Sequence, residues 1–312
     1  MKQHEHGAAV VMAMLVVALS VVLVSGAFYR QSAMARQVEN AVAKSQADRL
    51  LEGAVDWARV ILREDGRTSA TDHLGEPWAV SLEQTRLDNS GSATKQPDMS
   101  SDAAASEPAW VSGGMEDAQA RFNLRNIAGP TGPIASEVAV LARLLDLVGA
   151  NGTLAARLAQ HLDAAIAGRT TPAGSVPVMP ATIDDIVLED ASERDALTRL
   201  GPFVTILPTP TTVNANTASA EVLAARFDGL ALADARRLVA SRDRAYFKDV
   251  NDLVTRIPGL QLAGGMSQTS VATQFFLLHG LVQFRRAHLQ ALVLLKREGG
   301  NVNVVWMREE PV

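Results

Sequence analysis

Between Ala8 and Tyr29 the chain carries no charged side chain, and only Ser20, Ser25 and Gly26 break the apolar run. At ~1.5 Å rise per residue this stretch makes a helix of roughly 30 Å, enough to cross the hydrocarbon core of a bilayer. A segment of that kind cannot be hidden inside a small water-soluble core. Everything downstream must therefore fold as a body tethered to a membrane, or be released by proteolysis.

The seven residues ahead of the run, Met-Lys-Gln-His-Glu-His-Gly, form a short polar leader ending in glycine. This resembles a prepilin-type leader, with cleavage expected between Gly7 and Ala8 by a prepilin peptidase on the cytoplasmic side, leaving the apolar helix attached. The rival is a secretory signal peptide cut near Ser25-Gly26-Ala27, which would give a mature chain starting at Phe28. Against it, the leader holds one lysine beside Glu5 and two histidines, a poor cationic region, and the helical pattern runs through the supposed cut. Arg30 and Arg36 lie beyond the span and outnumber Lys2, so loop charge does not assign the orientation.

From Arg30 the polarity rises without a helix breaker until Gly53. Ala35, Val38, Val42, Ser45, Leu50, Ala54, Trp57, Ile61 and Leu62 recur at three- and four-residue spacing, the pattern of an amphipathic helix continuing the span. Glu64-Asp65-Gly66 is expected to end it, with Gly66 as the C′ residue. The rod from Ala8 to Glu64 would measure roughly 85 Å. Trp78–Leu87 alternates as a short strand, Asp88–Pro108 has little to bury and reads as a loop, and Glu116–Leu124 reads as a second strand with Phe122 and Leu124 inward.

The middle of the chain is helical. Ser136–Leu147 and Thr153–Ala165 are apolar-periodic, and short helices are expected within Ile183–Leu200, stopped by Gly201-Pro202. Ser219–Phe227 and Ala231–Arg242 form a second pair around Asp228-Gly229-Leu230. The two pairs share a weak likeness, Ser136-Glu137-Val138 against Ala220-Glu221-Val222. Three β-rich runs close the chain, Phe275–Gln283, Leu289–Lys296 and Val302–Trp306, the last two joined by the hairpin-type Glu298-Gly299-Gly300-Asn301. Strands separated by a helical block indicate an α+β domain carrying an insertion.

The chain has no cysteine, which excludes disulfides and thiolate chemistry. Its formal charge of -5 gives no electrostatic reason to expect nucleic acid. No phosphate loop, nucleophile elbow or metalloprotease motif occurs, so nothing argues for an enzyme. The close pair His161 and Asp163 reads as a solvated helix face. The competing function is DNA binding. Val213–Leu223, Phe247–Leu253 and Ile257-Pro-Gly259 are worded much like a helix-hairpin-helix module, which makes a membrane-tethered DNA-binding or DNA-uptake protein the alternative. The hairpin is Gly229-Leu230-Ala231, however, and lacks one glycine of the usual Gly-x-Gly. Asn214 to Leu260 holds seven basic against six acidic residues, a surplus too small for several phosphate contacts.

Together the leader, Asp117-Ala-Gln-Ala-Arg-Phe-Asn-Leu-Arg-Asn126, the Val213–Leu223 segment and the three terminal strands resemble type II secretion system protein K over essentially the whole chain. The resemblance implies a pilin-like fold, a long N-terminal helix packed on a small antiparallel sheet, carrying a large all-α insertion. It implies a leader at 1–7, a transmembrane helix at 8–29, a pilin-like domain at 30–126 and 271–312, and an insertion at 127–270. The function implied is that of a minor pseudopilin in a Gram-negative cell inner membrane, single-pass, with its soluble part in the periplasm and its mature N-terminus N-methylated. It would sit at the tip of the pseudopilus with the minor pseudopilins I and J, above the major subunit. The family lacks glutamate at the fifth mature position, and counting from Ala8 that residue is Met12. The resemblance also implies calcium, held by an Asp-Trp-x-Asp-x-Asp stretch. Here the chain reads Gln160-His-Leu-Asp163-Ala-Ala and keeps one acid of three. Asp163, Asp184, Asp185, Glu189 and Asp190 are the candidates, and no metal or other cofactor is expected.

Overall fold

The computed structural model describes residues 5–87, 108–168, 174, 177–257 and 266–311. The first residues of the leader, the Asp88–Pro108 loop up to residue 107, part of the connection after Ala167, and Pro258-Gly259 lie outside the described residues.

Helix α1 (Glu5–Thr68) runs 64 residues without interruption, about 96 Å at the usual rise. It passes the expected stop. Gly66 does not adopt a left-handed conformation, and the helix ends where the Thr68 hydroxyl donates to the Glu64 carbonyl at 3.1 Å and the Ser69 N–H to the Asp65 carbonyl at 2.9 Å. Gly66 serves proximity instead: a Cβ there would lie 2.9 Å from Cδ of Arg297.

Five antiparallel strands lie along the upper part of α1. They are β1 (Leu82–Leu87), β2 (Ala109–Asp117), β3 (Phe275–Phe284), β4 (Ala287–Glu298) and β5 (Asn301–Glu310), arranged in that order across the sheet. Register is set by tight turns. Gly299 and Gly300 have φ of 57° and 84°, the two left-handed residues of a type I′ hairpin. The β3–β4 turn is Arg285-Arg286, with Arg285 at φ 54°. The sheet climbs with the helix. Arg285 and Arg286 share a recess with Glu39, Asn40 and Ala43, Gly280 faces Leu51, Arg59 Nε donates to the Val302 carbonyl at 2.8 Å, and Arg297 meets Asp65 near the top.

The helix face against the sheet is Ala43, Ala47, Leu51, Val55, Ala58 and Leu62, all buried at helical spacing. Opposite them lie Phe276, Leu278, Val282, Leu289, Ala291, Val293 and Leu295. Each fully buried Leu or Phe contributes about 1.5–3 kcal/mol. This corrects the face read from periodicity, which centred on a neighbouring stripe. Val38, Val42 and Trp57 are 63%, 46% and 54% exposed. The sheet comes so close that alanine is favoured at the contact, and a Cβ on Gly280 would stand only 3.0 Å from Leu51.

Two expected strands move for local reasons. Pro77 at the first position starts a 3-10 turn, Pro77–Ala79, so pairing begins only at Leu82. Trp78 in that turn is fully buried, edge-on to Phe276 at 5.2 Å, and donates from Nε1 to Glu76 Oε2 at 2.8 Å. The second strand is Ala109–Asp117, earlier than expected, because Asp117 accepts the Gln119 N–H at 2.7 Å and caps a 3-10 turn. Phe122 and Leu124 are buried as expected, but in the helical block's core.

That block holds α2 (Ala135–Leu147), α3 (Leu154–Ala167), α4 (Ala191–Leu200), α5 (Ala220–Arg226), α6 (Leu232–Arg242) and α7 (Val250–Thr255). Two cores form. Leu141, Leu144, Leu158, Leu162 and Leu200 gather in one, and Val222, Leu223, Phe227, Leu238, Phe247 and Leu253 in the other. Glu137 on α2 and Arg226 on α5 join them through a buried two-pronged pair at 2.7 and 2.9 Å. The block meets the far face of the sheet through Ala118, Leu207, Phe275 and Leu294.

Candidate assembly site

The lower part of α1 has no protein cover. Side chains from Val10 to Val24 are exposed, and the most apolar 18-residue window reaches a mean hydropathy of 2.7. A surface of that size needs an apolar solvent or a partner. Gly7 and Ala8 lie in the first turns of α1, and Met12 is 68% exposed within the apolar shell. The structure does not bring these three to any other functional group; they matter by their place at the head of the span.

The two motifs far apart in sequence, Asp117–Asn126 and Val213–Leu223, meet in space. Asp117 Oδ2 accepts from Asn214 Nδ2 at 2.7 Å and from the Thr217 hydroxyl at 2.6 Å. Asn214 Nδ2 also donates to the Asp72 carbonyl at 3.0 Å, tying in the turn after α1. Gln119 donates to the Thr212 carbonyl and accepts the Gln274 N–H. Asn123 accepts the Leu207 N–H and donates to the Thr209 carbonyl, while Asn126 grips both the N–H and the carbonyl of Thr211. Asn216 does the same with Phe247. Each buried amide thus stands in for a strand partner, satisfying backbone groups that irregular chain would otherwise leave unpaired. The motifs are joinery between sheet and insertion.

A second junction sits at the top of α1. Arg297 donates to Asp65 at 2.7 Å, to Asp72 at 2.5 Å and to the Thr273 carbonyl at 3.2 Å. Asp72 Oδ2 also accepts the Thr273 N–H at 2.7 Å. Asp65, Asp72 and Glu76 are close enough for one cation to serve them, and Arg297 supplies the positive charge there, helped by the Trp78 donor to Glu76. Burial pushes Asp65 up to about 6 against the pull of Arg297, with Glu76 and Asp72 adding to the rise. Burial likewise pushes Asp117 up to about 6, although Thr217, Thr273, Asn214 and the Gln119 N–H hold toward the charged form. Sequence reasoning missed Arg297. The signal was present: in β4 the inward positions are Leu289, Ala291, Val293 and Leu295, so Arg297 falls in phase and must find a buried acid.

The calcium candidates do not converge. Asp163 is buried on α3, not on a solvated face, whereas Asp184, Asp185, Glu189 and Asp190 are exposed around the 3-10 turn Ile183–Asp185 and the start of α4. Asp185 accepts from the Thr182 N–H and hydroxyl and pairs with Arg308 at 3.2 Å; partial burial resists, but these contacts hold its carboxyl below the usual range. Asp190 caps α4, its carboxyl lowered by the Ser192 hydroxyl and the Ser192 and Glu193 N–H groups. Calcium needs six to eight oxygens around one point. Asp185 and Asp190 are already engaged, and the five acids are spread over separate elements, so they do not fit it.

The helix-hairpin-helix-like segment is also explained internally. Gly229 takes φ 78° to turn α5 into α6. Arg226 is buried on Glu137, and Arg242 is buried, donating to the Ala215 and Ala218 carbonyls. Arg236, Arg237 and Arg256 pair with Glu221, Asp234 and Asp252. Two of the basic residues that would face a phosphate backbone are thus held inside the fold.

An uncovered apolar half-helix, long and apolar enough to cross a membrane, an upper half paved by an antiparallel sheet and a helical block on the sheet's far side define a pilin-like fold. Comparison with known proteins agrees. Residues 213–274 match the model of the family described as type II secretion system (T2SS), protein K. The chain is 26% identical over 299 residues to type II secretion system protein K of Pseudomonas aeruginosa, covering 88% of this chain and 84% of that protein. Its fold matches a chain in the crystal structure of the GspK-GspI-GspJ complex from the type 2 secretion system of enterotoxigenic Escherichia coli, with a TM-score of 0.65 and 21% identity over 88% of this chain and 100% of that one. The chain is thus similar to protein K of the type II secretion system in sequence over most of its length, and similar in fold to the solved chain. The family match falls on the very segment that suggested DNA uptake, and that alternative finds no support.

Proposed function

We propose that the chain is held in the inner membrane by α1, with its soluble part in the periplasm, and caps the tip of a pseudopilus. Cleavage between Gly7 and Ala8 by prepilin peptidase leaves the apolar half-helix in place, free to pack in the bilayer beside other pseudopilin helices. The partners are minor pseudopilins I and J, which assemble with protein K in the Escherichia coli complex, and below them the major subunit.

The observation that carries this reading is the division of α1. One uninterrupted helix is bare and apolar at its start and sheet-covered at its end, the build needed to hand a subunit from lipid to a fibre. Met12 at the fifth mature position carries no charge, so no neighbour's amine or carboxylate is needed below it in lipid, where a lone charge costs several kcal/mol. The helical block is bulky and lies on the sheet's far face, which suits a terminal subunit and not a stacked one. The action is mechanical: the tip complex nucleates assembly and its size stops addition above it.

Soluble portions of this chain, protein I and protein J expressed together should elute as one complex. Separate elution at micromolar concentration sinks the assignment. N-terminal sequencing of the membrane-extracted protein should begin at Ala8; a start at Phe28 would mean a released secreted domain.

A further inference from the structure

The loop between α2 and α3 has room for nothing but glycine at position 152. A Cβ there would stand 2.9 Å from Asp146 Oδ1 and 3.2 Å from the Ala142 carbonyl oxygen. Asn151 comes just before it, and no other asparagine in the sequence is followed by glycine. Packing against the last turn of α2 thus imposes an Asn-Gly dipeptide. That pair is chemically labile, because a glycine nitrogen has no side chain beside it to hinder ring closure onto the asparagine carboxamide.

Both reacting groups are held in place. The Gly152 N–H, whose nitrogen would attack, donates to Asp146 Oδ1 at 3.2 Å. Asn151 Oδ1 accepts the Thr153 N–H at 2.9 Å, and the Asn151 carbonyl accepts the Leu154 N–H at 3.1 Å. At the other end of the loop Arg199 donates to the Gly149 carbonyl at 2.6 Å. Asn151 and Asp146 are exposed, so water and hydroxide reach the site. What opposes reaction is the Asp146 carboxylate, which holds the amide proton and would repel the anion left by its loss.

We propose that Asn151 is a site of spontaneous deamidation and that Asp146 is the guard that slows it in the folded chain. Hydroxide takes the Gly152 amide proton, and the nitrogen forms a bond to Cγ of Asn151. The Cγ–Nδ2 bond breaks, and ammonia leaves with a proton from water. Water then opens the succinimide at either carbonyl, leaving aspartate or isoaspartate; nothing is oxidised or reduced. Aspartate adds a negative charge beside Asp146. Isoaspartate lengthens the main chain by one carbon between the Arg199 contact and the first turn of α3, where Leu154 and Ala155 are buried. The first core of the helical block is therefore where chemical ageing of the chain would begin.

The test incubates the full chain in detergent and mildly alkaline buffer, digests it, and follows the peptide holding position 151 by mass spectrometry. D146A should deamidate there about five-fold faster than wild type, the weight of one ordinary hydrogen bond. D146N keeps an acceptor oxygen without the charge and should fall between them. N151Q should show no gain at that position, and circular dichroism melting shows whether each variant is folded. In urea, where the guard does not exist, wild type, D146A and D146N should react at one rate. Equal rates for folded wild type and D146A overturn the guard, as does the same five-fold ratio persisting in urea. Should D146A not fold, wild type alone decides: equal rates in buffer and in urea overturn the guard. A chain that gains no acid at position 151 even in urea overturns the site.

Discussion

The contact of α1 with the sheet and the contact of the sheet with the helical block are built from opposite materials. The first is apolar and close, alanine and leucine against alternating strand residues, with Gly280 where the Leu51 side chain comes nearest. The second has a small apolar patch around Leu207, Phe275 and Leu294, and is otherwise held by polar side chains, Asp117, Gln119, Asn123, Asn126 and Asn214, hydrogen-bonded across it. Apolar packing tolerates substitutions of similar volume. A buried amide that holds two groups at once tolerates almost none, because removing it strands both partners.

The largest effect is expected inside the block. Arg226→Gln, which leaves Glu137 buried without its partner, should cost about 3–5 kcal/mol in urea unfolding of the soluble part. Replacing both residues by methionine should recover most of that. Failure to recover would show that the pair does more than neutralise itself. Next comes Leu51→Ala at the helix–sheet contact, about 2–4 kcal/mol from lost burial and a cavity. Asn214→Ala should cost about 2–3 kcal/mol, and Asn214→Leu, similar in size, should cost no less. An apolar residue that restored stability there would erase the distinction between the two contacts.

A smaller effect is pH dependence. Asp65 and Asp117 are raised to about 6 from 3.8, so the folded chain binds their protons more tightly than the unfolded chain does. Their contribution favours folding below about pH 4 and is lost as pH rises through about 6, by on the order of 1 kcal/mol. Denaturation at pH 5 and pH 7 should show wild type losing stability across that window and D65N losing less of it. The smallest effect expected is from calcium: adding it or chelating it should leave the melting temperature of the soluble part unchanged. A rise of several degrees on addition would mean that Asp163 or the acids around Asp185 bind metal.

These materials also explain how far the sequence alone could be read. Periodicity finds helices and strands whose faces are apolar, and α2, α3, α5, α6 and the three closing strands lie close to where it puts them. It misplaced the buried face of α1 because alanine hardly registers as hydrophobic beside valine and tryptophan. It missed the end of α1 because Gly66 looks like a terminator when its role is to admit Arg297. The asparagines had no period to betray them. Asp117–Asn126 and Val213–Leu223 could be recognised as wording, but that they clasp one another, 97 positions apart at Asp117 and Asn214, is a fact of three dimensions.

Continuity of α1 has one mechanical consequence. With no proline and no kinking bulge along its 64 residues, the rod works as a lever arm pivoting at the bilayer. A lean of ~5° over the roughly 58 Å from Tyr29 to Thr68 swings the upper end by about 5 Å, the radius of a helix with its side chains. Small rearrangements among lipid-level neighbours are thereby magnified into displacements of the whole cap.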